Sequence, residues 1–172
     1  MIFNLILKIL VWLKDLVKSL EPSLPPVKEI EFIPTPYMKS NAEKLLEYTI
    51  THLDEDISPL DLIKDELGCA ESLSNLLQKV FPDFPIYLST TDLFNKLKTD
   101  KRFKATLIPH KYIIVISPRS ATQYGHCGIF ITDEKIASNN SYTGKFNGYY
   151  SWDAWILDFY SDRYCFICYP GL

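Results

Sequence analysis

The sequence predicts an α+β domain, and three observations carry that prediction. Apolar residues recur at helical spacing between residues 41 and 98, strand-like apolar runs occupy residues 112–169, and short polar turns join those runs. Helices first and an antiparallel meander after them make an α+β order, with helices packed on one sheet.

The first helix should begin at Ser40-Asn41, where a capping residue precedes the apolar positions Leu45, Leu46, Tyr48, Ile50 and Leu53. Ser58-Pro59-Leu60-Asp61 then places serine at a cap, proline at the first helical position and an acid in the first turn. This predicts a short helix that Gly68 closes. A new helix follows at once, because Cys69, Leu73, Leu76, Leu77 and Val80 share one helical face. Cys69 therefore falls in a first turn and points toward the core. A third helix is predicted over residues 91–98, after which the period changes. Residues 112–116 form the first predicted strand, closed by Ser117-Pro118. Residues 128–132 and 135–138 form a hairpin turning at Asp133-Glu134, and residues 155–159 and 164–169 follow with Ser161-Asp162 between them.

Two segments precede the domain. In residues 1–21, Asn4, Lys8, Asp15 and Lys18 fall on one side of a helix and Ile2, Leu5, Ile6, Ile9, Leu13, Leu16 and Leu20 on the other. The lysines interrupt the apolar run, which argues against a cleaved signal peptide and makes full membrane insertion costly, about 2.5–3.5 kcal/mol for each charge near the centre. An amphipathic anchor on a membrane surface, a helix docking on an assembly partner and a part of the core are the three readings. Residues 22–40 hold Pro22, Pro25, Pro26, Pro34 and Pro36, a composition that favours an extended spacer. The domain is then residues 41–172.

Composition narrows the function. The 172 residues, 47% hydrophobic and 14% aromatic, suffice for one well-filled core. A net charge of −3, without a long basic run, gives no footprint for nucleic acid. Four cysteines in a chain of this length do not make a disulfide scaffold, and Cys165 and Cys168 would point to opposite faces of a strand. No zinc site and no cofactor site are predicted.

Chemistry concentrates on Cys69 and His126. A thiol is a good nucleophile only as thiolate, and a helix N-terminus with a nearby imidazole stabilises that form. Cys69 has the first by position. His126 can supply the second, because it opens a strand within Tyr124-Gly125-His126-Cys127-Gly128, where flanking glycines leave space for a substrate backbone or a facing helix. Either residue alone has an ordinary structural explanation; it is their order and context that raise the catalytic reading. A third group should accept from the second ring nitrogen. A two-residue turn at Asp133-Glu134 places Gly128 opposite Asn139 and makes Asn139 that group, whereas a three-residue loop would bring Asn140 or Ser138 there instead.

Together these segments resemble the papain-like cell-wall cysteine peptidases of the NlpC and CHAP types, including phage-encoded forms. Residues 67–77 are similar to their nucleophile helix, Gly125-His126-Cys127-Gly128-Ile129-Phe130 to their Gly-His-Val-Gly-Ile strand, and residues 113–118 to the strand before it. Residues 138–146 resemble a segment that follows the third active-site position in some members. The likeness covers about residues 41–172 and places Cys69 and His126 on the catalytic cysteine and histidine. An ungapped count from His126 puts the third position at Ser138, one residue before Asn139. The resemblance implies a papain-like fold and hydrolysis of a peptide or amide bond in peptidoglycan, by an endopeptidase or amidase. It implies an extracytoplasmic or virion-associated location. Tyr124, Tyr142, Trp152 and Trp155 are candidates to line a substrate groove, the tryptophans having core as their alternative. A non-catalytic binding or virion-structural module of the same fold, docking through residues 1–20, is the competing class.

Overall fold

A computed structural model of the chain describes residues 39–58, 68–121, 123–159 and 163–168. The predicted amphipathic helix, residues 22–38 of the spacer and the interior of the short helix between Ser58 and Gly68 lie outside the described residues. The compact unit runs from Met38 to Leu172. Among the described residues it contains four helices and one six-stranded antiparallel sheet.

Helix α1 (Asn41–Thr51) starts with a capping box: Ser40 accepts from the Glu43 N–H, and the Glu43 carboxylate accepts from the Ser40 N–H at 2.8 Å. It buries Ala42, Leu45, Leu46 and Thr49, a helical stripe, while Tyr48 and Ile50 face outward. Helix α2 (Cys69–Val80) is enclosed on almost every side, with Leu73, Leu76 and Leu77 in the core. Its polar side chains bond both within the helix and across the fold. Ser74 donates to the Ala70 carbonyl at 2.7 Å, and Asn75 donates to the Ile57 carbonyl at 2.7 Å. Helix α3 (Thr90–Thr99) is capped by Ser89 and buries Thr90, Leu93 and Leu97.

The strands are β1 (Phe103–Thr106), β2 (Ile113–Ser117), β3 (His126–Phe130), β4 (Ile136–Ser138), β5 (Gly148–Tyr150) and β6 (Tyr164–Cys168), in the spatial order β1-β6-β2-β3-β4-β5. β2 to β5 run as a meander, in which β2, β3 and β4 match predicted strands and β5 does not; β6, also predicted, leaves the meander and inserts between β1 and β2. Alternation along the strands makes two cores. Ile114, Ile116, Cys127, Ile129 and Ala137 pack with the leucines of α1 to α3, whereas Ile113, Val115, Phe130 and Ile136 pack on the other face. Cys165 belongs to the second core and Cys168 to the first, as an odd separation requires.

Residues 155–159 are not a strand. Helix α4 (Trp152–Asp158) occupies them, capped by Ser151, which accepts from the Ala154 N–H at 3.1 Å. Trp152, Trp155, Ile156 and Phe159 have helical spacing, so one face of a short helix covers the second core, and Trp155 is fully buried there.

The hairpin register also departs from the two-residue turn. The Ile131 N–H bonds the Lys135 carbonyl at 2.9 Å, enclosing a three-residue loop, and Gly128 faces Ser138. Pairing moves by one residue, which reverses the faces of β4 and its extension. Ser138 now shares the side of His126, and Asn139 turns toward α2, where its Oδ1 lies 3.4 Å from the Ser72 hydroxyl. The placement of Asn139 beside the imidazole is thereby corrected.

Candidate active site

Cys69 is the first residue of α2, and Gly68 before it makes no side-chain cap. The first-turn N–H groups and the positive end of the helix therefore face the residue at this position. The Cys69 thiol is held well below the usual thiol range. The largest cause is the Cys127 thiol beside it; burial opposes this, and a hydrogen bond from His126, the imidazole charge and the Ala70 N–H add to it.

Cys127 has a single S–H, and its sulfur lies 3.1 Å from the Cys69 carbonyl oxygen. That carbonyl is a better acceptor than a neutral thiol, so the proton rests there while Cys69 is neutral. An adjacent thiolate competes for it more strongly, because a charged acceptor roughly doubles the strength of the bond. Burial, then the hydrogen bond and charge of Cys69, push the Cys127 thiol well up, so it stays protonated. Burial pushes Cys165 up to about 11 and Cys168 up to about 12. Alkylation by iodoacetamide should therefore single out Cys69. Between pH 9 and pH 6 an ordinary thiol slows about tenfold per unit. The Cys69 rate should stay nearly level until pH approaches its own lower value, as peptide mass spectrometry after timed labelling would record.

His126 is the first residue of β3, where its ring packs among the aromatic residues of the second core and acts on the Cys69 thiol. It is 9% exposed and Cys69 7%, so both are nearly enclosed. The ring lies 4.7 Å from Phe159 and 5.2 Å from Trp155, centroid to centroid, stacked on each, with the Tyr150 edge at 5.6 Å. Trp155 is fixed in turn, since its Nε1–H donates to the Ser117 hydroxyl at 3.1 Å and Ser117 pairs with His126 across β2 and β3.

The imidazole Nε2 lies 3.0 Å from the Ser138 Oγ. Ser138 is fully buried, with the Gly148 carbonyl 3.4 Å from its hydroxyl. A relay follows when the ring is protonated: Nε2–H donates to Ser138, and Ser138 donates onward to Gly148. Gly148 leaves room for this, because a Cβ there would come within 2.9 Å of the Ser138 Oγ. The hydroxyl orients the ring without taking the proton. Should the chain hydrolyse a substrate through Cys69, Ser138→Ala is expected to lower kcat about tenfold, the equivalent of one hydrogen bond of about 1.4 kcal/mol, with KM nearly unchanged. Steady-state kinetics on a cleavable peptide would measure it.

The glycines beside His126 serve the protein's own backbone. A side chain at Gly125 would collide with the Thr90 hydroxyl at the start of α3 and stand 2.5 Å from the Arg119 nitrogen, and one at Gly128 would stand 2.6 Å from the Ala137 carbonyl oxygen. Gly125 thus admits a facing helix, and Gly128 a neighbouring strand. Of the predicted groove residues, Tyr142 is 98% exposed and Tyr124 is 71% exposed with the Arg119 guanidinium over its ring. Trp152 packs on Phe130 at 5.8 Å and belongs to the second core. Tyr150 was missed by sequence reasoning; burial first, then Asp158, Cys69 and Tyr142, raise its hydroxyl, which ties it to the neighbourhood of the thiol. Phe159 was missed as well, although its spacing of four from Trp155 is a helical signal.

Among the described residues no group of three or more His, Cys, Asp or Glu is placed to hold a metal ion, and no helix is long and apolar enough to cross a membrane. Compared with known protein families and with curated proteins, the chain matches none of them.

Proposed function

We propose that this protein is a papain-like cysteine hydrolase that cleaves a peptide or amide bond, with peptidoglycan as its substrate. One observation supports the chemistry above all. The thiol of a helix-opening cysteine is held below its usual range in part by the His126 imidazole, whose Nε2 lies 3.0 Å from the Ser138 hydroxyl. The resemblance of residues 41–172 to cell-wall peptidases supplies the substrate class. In this reading the Cys69 thiolate attacks the carbonyl carbon, and the oxyanion is stabilised by first-turn backbone N–H groups including that of Cys69. His126 protonates the leaving amine, and the thioester is then hydrolysed by water that His126 activates. Ser138 positions His126. Tyr142 and Tyr124, both exposed, are proposed as contacts for the sugar–peptide chain, and Trp152 as part of the wall behind the site. Residues 1–20 attach the enzyme to a membrane surface or to an assembly partner, in keeping with an extracytoplasmic or virion-associated location.

The test is incubation of the purified chain with isolated peptidoglycan, followed by mass spectrometry of the soluble fragments. Release of muropeptides with a new amino terminus, or separation of stem peptide from sugar, identifies endopeptidase or amidase action. Intact peptidoglycan with an alkylation-competent Cys69 would sink the substrate assignment.

A further inference from the structure

Cys127 has no part in the hydrolytic scheme, yet it occupies the position on β3 that faces the start of α2. Both cysteines belong to the core between helices and sheet, and the Cys127 sulfur lies 3.1 Å from the backbone oxygen of Cys69 itself. The two thiols interact directly, each being a cause of the other's shifted titration, so the Cys127 sulfur stands beside both the backbone and the side chain of Cys69. Cys165 and Cys168 have no such relation, since they sit in different cores on opposite faces of the sheet.

We propose that Cys69 and Cys127 form a peroxide-responsive pair, in which Cys69 is oxidised and Cys127 closes a disulfide onto it. The proposal rests on the reading of Cys69 as an activated thiol. The Cys69 thiolate attacks one oxygen of hydrogen peroxide, the O–O bond breaks, and Cys69 becomes a sulfenic acid while hydroxide leaves. The Cys127 sulfur then attacks the Cys69 sulfur, forming the S–S bond as the S–O bond breaks. The departing hydroxyl takes the Cys127 proton and leaves as water. In total, two thiols lose two electrons and two protons, and one peroxide becomes two waters. The disulfide ties up the nucleophile reversibly and spares it from the irreversible sulfinic and sulfonic states.

Trypsin separates the relevant cysteines, because Cys69 falls in residues 65–79, Cys127 in 120–135 and the other two in 164–172. The reduced full-length protein is treated with hydrogen peroxide at a few equivalents, alkylated, digested without reductant and examined by mass spectrometry. A peptide joining 65–79 to 120–135, lost on treatment with dithiothreitol, is the expected product. In Cys127→Ser and Cys127→Val, Cys69 should instead carry sulfinic or sulfonic acid that dithiothreitol does not reverse. Cys165→Ser and Cys168→Ser should form the cross-link as wild type does. Sulfinic Cys69 beside free Cys127 in wild type, or a Cys69 inert to peroxide, would overturn the pair even in an active hydrolase. A cross-link in a protein that cleaves nothing would uphold the pair and remove the hydrolase reading.

Discussion

Cys69→Ala is expected, on the proposed function, to abolish peptidoglycan cleavage, lowering kcat by roughly 10⁴-fold or more, while unfolding stability at a pH below the lowered thiol range changes by no more than about 1 kcal/mol. The size of the first effect follows from what is removed. No other group among the described residues combines a helix N-terminus, an imidazole donor and a thiol depressed from its ordinary range. Loss of the sulfur leaves His126 and the backbone donors with nothing to activate. Cys69→Ser should behave almost identically, because a hydroxyl has an ordinary pKa far above that of a thiol and the imidazole cannot ionise it to a useful extent. The small stability effect follows from placement. Cys69 lies at the edge of the leucine-lined core, so losing its sulfur opens little space, and below the lowered thiol range, where the thiol is protonated folded or unfolded, its anion adds nothing to stability. Fragment release by liquid chromatography, with denaturant melts of the same preparations, tests both halves. A variant that retains a tenth of wild-type cleavage would end the case for Cys69 as nucleophile.

The helices were legible in the sequence because their ends carry chemistry. Ser40 with Glu43, and the leucine stripe behind Cys69, each combine a boundary signal with a period, and two concordant signals leave little choice. The pairing of Cys69 with His126 was readable for the same reason. The partner on β4 was not, since it hung on a single loop residue: one added residue between Ile131 and Lys135 exchanges Asn139 for Ser138 on the histidine side. No local propensity distinguishes those two loops. β1 and β5 were invisible because each buries one residue, Phe103 or Gly148, and so has no apolar alternation to detect. In α4 the aromatic residues suggested a strand, and the helix is explained by the Ser151 cap and by the tertiary requirement to cover His126 and the second core. Consequently the site elements that sequence missed, Tyr150 and Phe159, are those whose role arises only when β5 and α4 are brought to the end of β3.

Trp155→Ala should be the most destabilising substitution in the second core, costing about 3–5 kcal/mol, because it empties a fully buried aromatic site in a layer only one short helix thick. The same change strips the imidazole of one stacked face and leaves the Ser117 hydroxyl without its Nε1–H donor. Stability and site geometry are therefore coupled through one side chain. Ser117→Ala separates them, since it deletes the hydrogen bond but keeps the ring, and about 1 kcal/mol is the expected loss. Trp155→Phe keeps a stacked ring without the donor and should fall between the two. Urea melts give the stabilities. The pH dependence of Cys69 alkylation gives the second readout: with the ring gone, His126 loses a stacked neighbour that holds it in place, so its support of the Cys69 thiolate should weaken and labelling should fall off at higher pH than in wild type. A Trp155→Ala protein that is destabilised as expected but alkylates with an unshifted profile would show that Trp155 holds the fold alone, and that Phe159 and Tyr150 suffice to hold His126 in place.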